Sequence, residues 1–343
     1  MHESSRIPPG ALAWHLTPSF DSTVTDRPRD RYTFFRFESF WREQTGRPLQ
    51  PSDFRELGLA DDSGLLTVAG TLMADQRLVF SSRVFCTRWN GLDKACSPGD
   101  DALDSQEFEG RLVHLLEESC HFVRRNSCLR FRKLAMSRLE KPDYRQDAVR
   151  EAIVNALVHR DYRTNGSEVQ IHLFDDRMEI WSPGGMTDGS PIQDRDAAAV
   201  PAAHRNPVLV GLFRRLGLMT GEGGGLKTIL SSLPAELDVM ERAWPGFYST
   251  RTHFQVMLKN LNWHADRMCR DLDPKLHSLL RWCRESRTRE QIGEYMGIPS
   301  ARFVREHVIG PLLKSGYLRM VYPDSPRSRY QKYVSACWLY QSE

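Results

Sequence analysis

Apolar positions along the chain change period several times, and each change marks an element. In residues 107–126, Leu112, Leu115, Leu116, Cys120 and the Phe122-Val123 pair recur at helical spacing. Residues 145–160 form the strongest helical pattern in the chain, with Ile153, Val154, Leu157 and Val158 on its apolar side. Residues 168–174 and 177–181 read as strands, and the Asp175-Asp176 pair between them suits a tight hairpin. The aromatic run 34–41 reads as a short helix entering the core, and Pro51-Ser52-Asp53 starts another that ends at Leu57-Gly58-Leu59. After a turn at 61–64, the apolar stretch 65–73 reads as one buried helix with Thr67 as a possible cap. Residues 77–88 and 126–136 read as strands, and 90–104 as a polar loop. Asn206-Pro207 opens an amphipathic helix through Leu216, a helix starts at Leu226, and 248–258 reads as a closing strand. Residues 1–33, with Pro8, Pro9, Pro18 and Pro28, read as irregular.

The last seventy residues repeat a different rhythm. Leu276, Leu279, Leu280 and Cys283 mark a first helix. Thr288 with Gln291 three residues on has capping-box spacing and opens a second. Gly297 to Ser300 is a turn, 301–314 a third helix with Val304, Val308 and Leu312/Leu313 inward, and 318–334 a hairpin with its tip at 323–329. That order is a winged helix-turn-helix. Charge supports the reading. The whole chain carries only +3, but residues 274–343 hold twelve Lys/Arg against six Asp/Glu, leaving the rest at −3. A basic module on a near-neutral body points to an anionic partner, and DNA is the expected one. Arg302 and Arg305 are the candidates for base edges, and Arg327, Arg329 and Lys332 for phosphates. Use of the same module for dimerisation or protein docking is the competing reading.

Length and composition restrict the remaining classes. At 343 residues with 40% hydrophobic and 27% charged positions, the chain is long enough for two domains and too apolar for general disorder. No apolar run approaches a membrane span, and Met1-His2-Glu3-Ser4-Ser5 does not begin a secretory signal, so a cytoplasmic protein with no membrane contact is expected. The seven cysteines are scattered and form no C-x-x-C pair, which argues against a disulfide framework or a zinc site.

Candidate chemistry concentrates on the helix at 145–160. Glu151, Asn155 and His159 are four apart and share one face. An amide oxygen suits a hard cation such as Mg²⁺, and a nearby carboxylate can orient or deprotonate water. A buried polar network fixing the following loop, with Arg160 and Asp161 as an ion pair, explains the same spacing.

The run 150–162, Arg-Glu-Ala-Ile-Val-Asn-Ala-Leu-Val-His-Arg-Asp-Tyr, resembles the signature of a bacterial and archaeal group of transcriptional regulators described as RecG-like or Schlafen/AlbA-type ATP-binding proteins. The resemblance continues through Gly166-Ser167, 174–180 and Ser182-Pro183-Gly184-Gly185, and resumes at Arg205-Asn206-Pro207 and Leu216-Gly217-Leu218. It is strong over 150–230 and weaker over 50–260. It implies an α+β protein whose centre is a GHKL-like (Bergerat-type) α/β sandwich binding ATP and Mg²⁺. In that superfamily a helix carries a water-activating Glu and, four residues on, a Mg²⁺-binding Asn, which places those roles at Glu151 and Asn155. His159 would join the nucleotide site. Gly184 and Gly185 fall where a strand-to-loop glycine motif admits the nucleotide, and Gly221, Gly223, Gly224, Gly225 and Lys227 where a second glycine cluster opens a helix under the phosphates.

Three departures qualify the resemblance. The strand-end Asp that reads adenine in active relatives is replaced by Ser182-Pro183, leaving Asp188 as a substitute. The run from Gly221 to Thr228 misses the P-loop pattern, because Leu226 stands where Gly is required, so helicase activity is not expected. No segment matches the AlbA/Schlafen-type domain that commonly precedes this region in relatives, so the chain is expected to lack it.

The sequence therefore divides into an irregular segment 1–33, a lead-in 34–140, a nucleotide-binding core 141–260, a linker 261–273 and the winged helix 274–343. The leading expectation is a homodimeric, ATP-sensing transcriptional regulator that binds DNA through its C-terminal module. The alternatives are an ATPase component of a mobile-element or phage-defence system, whose winged helix docks a partner, and a degenerate GHKL-like scaffold that binds no nucleotide.

Overall fold

The computed structural model describes residues 18–94, 102–133, 138–164, 166–201, 203–219, 225–231, 245–263, 273–314, 317–323, 325, 326, 328 and 330–335. It is a mixed α+β protein built around a six-stranded mixed sheet. The strands are β3 (Arg83–Trp89), β4 (Ala102–Glu109), β7 (Val169–Leu173), β8 (Arg177–Pro183), β9 (Gly246–Ser249) and β10 (His253–Lys259), in the order β4-β3-β7-β8-β10-β9. Only β3 and β7 pair in parallel. Alternate residues, Val84 and Cys86, Ile171 and Leu173, Met178 and Ile180, Val256 and Leu258, bury themselves in one core. Over them pack α4 (Leu112–Arg125) and α5 (Gln146–Val158). The opposite face mixes Phe85 and Met257 with polar His172 and Glu179: Trp181 Nε1 donates to Glu179, and Trp89 Nε1 to His172. The β7–β8 hairpin closes through Asp175-Asp176, with the Phe174 amide donating to the Arg177 carbonyl.

Several boundaries differ from the sequence reading. Residues 18–33 are not all irregular: β1 (Val24–Pro28) pairs with β2 (Leu65–Thr67). Pro28 is tolerated because it ends a strand of a two-stranded sheet, where no further ladder needs its missing N–H. The expected helix at 65–73 is split, since its first three residues pair with β1 and only Val68–Met73 (α3) is helical. Thr67 caps that helix by accepting from the Gly70 amide. The expected strand at 77–88 begins at Arg83, and part of the expected loop at 90–104, together with the expected helix start at 107, is β4. Polar side chains hid β4, because it is an edge strand held partly by the Arg83–Glu107 ion pair. Of the expected strand at 126–136, Leu129–Lys133 forms β5, which pairs antiparallel with β6 (Arg138–Pro142); residues 134–136 lie outside the described residues. The remaining helices of this body are α1 (Phe35–Thr45), α2 (Pro51–Glu56), α6 (Pro207–Arg215) and α7 (Gly225–Ser231).

A second hydrophobic core lies in the C-terminal region. Leu279, Leu280 and Cys283 from α8 (Pro274–Trp282), Ile292 from α9 (Arg289–Met296), and Val304, Val308 and Ile309 pack with Leu318 and Tyr333. A three-stranded antiparallel sheet, β11 (Arg287–Thr288), β13 (Lys332–Ser335) and β12 (Leu318–Met320), completes it. The Thr288/Gln291 capping box opens α9, and Gly297 closes it in the left-handed conformation. The run 301–314 (α10) is helical throughout but not regular: Val304–Ile309 is π-helical. Pro311 accounts for this, since it has no N–H to give and its ring crowds the carbonyl four residues back; widening the turn relieves both. Among the described residues no helix is long and apolar enough to cross a membrane, and Cys86, Cys120, Cys128 and Cys283 are free thiols.

Candidate functional site

The face of α5 predicted to carry chemistry lies at the centre of the larger body. Glu151 is buried and Asn155 partly so, and the Asn155 Nδ2 donates to Glu151 Oε1 at 3.4 Å. That hydrogen bond leaves the Asn155 Oδ1 as a neutral oxygen, the donor a Mg²⁺ carried in on phosphates needs from a protein. Among the described residues no group of three or more His, Cys, Asp or Glu could hold a metal alone. The start of α7 presses on this pair. A Cβ at Gly225 would lie 2.7 Å from Asn155 Nδ2 and 3.0 Å from Glu151 Oε1. One turn beyond Asn155, His159 caps α5 and stacks on His204, with ring centroids 5.6 Å apart and planes 25° apart.

Asn155 and His159 open onto a cavity of about 140 Å³ between α5, α6, the start of α7 and the strands β8 and β10. Ile180, Met186, Val200, Phe254 and Val256 supply apolar walls, and Ser182, His204, Arg205 and Arg214 supply polar ones. Burial, reinforced by the charges and dipoles of His204, Arg205 and Arg214, pushes the His159 imidazole down to about 4. Burial and Arg214 also lower His204. Both rings are therefore neutral near pH 7.

Ser182 lines the cavity, but its Oγ donates to the Ala156 carbonyl on α5 at 2.7 Å. Asp188 lies outside the lining. Its carboxylate accepts from the Ser190 amide and hydroxyl and pairs with Arg195 at 2.8 Å. Gly184 and Gly185 line the cavity, yet the protein itself demands them. Gly184 has φ +99°, and a Cβ there would meet Arg205 Nη1 at 2.1 Å; at Gly185 it would meet the Thr250 carbonyl oxygen at 2.0 Å. Arg205 reaches past Gly184 to donate to the carbonyls of His159 and Gly185. Asn206, wholly buried, donates from Nδ2 to the carbonyls of Val158 and Arg160, both at 2.8 Å. The Arg205-Asn206-Pro207 motif thus satisfies the orphan carbonyls at the end of α5, while Pro207 starts α6. The Asn206 side chain makes no capping bond to α6. Asp21, from the segment expected to be irregular, makes one instead by accepting from the Leu209 amide at 3.0 Å. The expected Arg160–Asp161 pair is absent: Asp161 pairs with Arg163, and Arg160 is buried with its Nη2 on the Ser167 carbonyl.

The other sequence candidates scatter. Lys227 is exposed on α7 and does not line the cavity. Gly221, Gly223 and Gly224 lie outside the described residues, as do Arg327 and Arg329. Arg302 and Arg305 are exposed on α10, but both pair with Glu306, at 3.1 and 3.0 Å. Lys332 is exposed on β13. Residue types alone did not single out His204, Arg205, Asn206 or Arg214. The ordered Arg-Asn-Pro motif was the signal available for this corner, and its neighbours complete the cavity.

Two separate stretches of the chain match known families. Residues 166–258 match the family described as "Putative ATP-dependent DNA helicase recG C-terminal", an ATPase-type domain. Residues 274–334 match "Filamentation induced by cAMP protein Fic-like, C-terminal domain". No curated protein matches the chain. The crystal structure of the DIP2311 protein from Corynebacterium diphtheriae superposes with a TM-score of 0.59 at 16% identity, covering 88% of this chain and 60% of that one. The likeness is one of fold, and this chain spans 60% of that protein's solved length. The ATPase-type match begins after α5, so it includes Ser182, Gly184 and Gly185 but neither Glu151 nor Asn155.

Proposed function

We propose that the larger body is a GHKL-like nucleotide-binding domain and that the cavity beside α5 takes ATP with Mg²⁺. The observation that carries the reading is a coincidence of position. The RecG-type match covers β7 to β10, and the one α5 face packed against those strands presents Asn155 and His159 to the cavity they share. In this reading Asn155 Oδ1 holds Mg²⁺ on the phosphates, and Glu151, hydrogen-bonded to it, positions water. Ser182, with its hydroxyl proton committed to Ala156, offers only lone pairs to a ligand's amino group, which makes it a weaker adenine reader than a carboxylate.

The C-terminal module is a winged helix that binds DNA, making the protein a homodimeric, nucleotide-sensing transcriptional regulator. Its net charge of +6 and the exposure of Arg302 and Arg305 support this. Glu306 must release both guanidiniums for them to reach phosphates or bases.

Calorimetric titration of ATP and Mg²⁺ into the wild type and Asn155→Ala tests the nucleotide reading. Binding by the wild type that weakens at least tenfold in the variant supports it. Absence of binding by the wild type overturns it in favour of a scaffold. The Glu151–Asn155 contact favours a second reading, turnover as an ATPase. Loss of phosphate release in Glu151→Gln with binding retained would establish it, whereas no phosphate release from the wild type would exclude it.

A further inference from the structure

The polar corner of the cavity brings His204 and Arg214 together. Arg214 Nη2 lies 3.4 Å from His204 Nε2. Arginine has only donors, so Nε2 must be the acceptor, and the single proton of the neutral His204 ring sits on Nδ1. Among the described residues that Nδ1 and Arg214 Nε have no partner, and both are out of a water's reach, so the cavity meets the rest of the guanidinium and of the imidazole ring. Both residues line the cavity, and Arg214 pairs with no carboxylate among the described residues. The neighbouring Arg205 is already committed to two carbonyls. A guanidinium at the cavity wall with no carboxylate beside it among the described residues favours an arriving anion.

The position of this corner relative to Asn155 sets the kind of anion. His159 stacks on His204 and lies four residues from Asn155 on the same helix face, about 6 Å along the axis. That is the reach of two or three linked phosphates. The apolar walls of Phe254, Val256 and Met186 lie in the same cavity and suit a flat base rather than charge.

We infer that His204 and Arg214 form a phosphate clamp, which holds the distal phosphates of a nucleoside polyphosphate while Asn155 meets the chain one helical turn away. The inference rests on the nucleotide reading of the cavity and adds its orientation: phosphates toward α6, base toward β10. It also explains why two neutral imidazoles sit beside two arginines.

Titration of ATP, adenosine and inorganic tripolyphosphate into the wild type, Arg214→Gln and His204→Ala separates the two claims. Thermal melts of each variant report folding, and Arg214→Lys keeps the charge if Arg214→Gln unfolds. A clamp predicts at least a tenfold loss of ATP and tripolyphosphate affinity in Arg214→Gln, a smaller loss in His204→Ala, and unchanged adenosine affinity. Wild-type affinity for ATP in both variants overturns the clamp and leaves the nucleotide reading standing. Equal losses for adenosine and ATP also overturn it. Tripolyphosphate binding that depends on Arg214, with no gain from an attached nucleoside, supports the clamp and overturns the nucleotide reading. No binding of any probe to the wild type overturns both.

Discussion

Removing the Asn206 side chain should unfasten the end of the helix on which the candidate site is built. Its Nδ2 is the shared donor for the carbonyls of Val158 and Arg160, both at 2.8 Å, in a wholly buried position. Asn206→Ala leaves two buried acceptors with one donor fewer each, at about 1–3 kcal/mol apiece. Loss of the Asn206 Oδ1, which has no partner among the described residues, offsets part of that cost. The expected net destabilisation is about 2–4 kcal/mol, a fall on the order of 5–10 °C in Tm. Asn206→Asp keeps the volume but turns a carboxylate toward two carbonyls, so it should cost more than Asn206→Ala. Urea denaturation followed by tryptophan fluorescence measures the change, and hydrogen exchange of the last-turn amides of α5 localises it. Because His159 rides on that turn, nucleotide affinity should fall with it. A cost below about 0.5 kcal/mol for Asn206→Ala, with α5 exchange unchanged, would refute the assignment of Asn206 as the terminal plug.

Three further outcomes follow from the same geometry. His159 sits at about 4 in the fold against 6.5 ordinarily, so the unfolded chain binds the extra proton first as pH falls. Above about pH 6.5 it has no effect; stability then declines by up to about 1.4 kcal/mol per unit down to pH 4, about 3 kcal/mol in all. His172, also pushed to about 4 by burial, and the lowered His204 add parallel losses, so His159→Gln should weaken the acid slope without abolishing it, as equilibrium unfolding at several pH values would show. Gly185→Ala should destabilise by about 1–3 kcal/mol, since its Cβ meets a backbone oxygen rather than a flexible side chain; a thermal melt within 1 °C of wild type would contradict this. Arg302→Ala with Arg305→Ala should lower the salt dependence of DNA binding by up to about two in log–log slope, while Glu306→Gln, which frees both guanidiniums, should raise affinity. Unchanged affinity and slope in both would show that α10 does not face DNA.

Patterns local in sequence were legible without coordinates. The period of α5 put Glu151, Asn155 and His159 on one face, Thr288 and Gln291 announced their capping box, and Asp175-Asp176 announced the β7–β8 hairpin. In each case the physical cause lies within a few residues of its effect. Elements that depend on a distant partner were not legible. Leu65–Thr67 became a strand because β1 supplies its hydrogen bonds, and polar β4 became one because β3 does. Asp21 caps a helix 188 positions away, a relation no window contains. The site divides along the same line. Its helix face could be read from spacing, but its cavity could not, because His204, Arg205 and Arg214 reach it only when α6 folds back over the end of α5. Even the paired glycines changed meaning. Their identity was visible in the chain, whereas the Arg205 guanidinium and Thr250 carbonyl that exclude a Cβ exist only once distant segments are packed together.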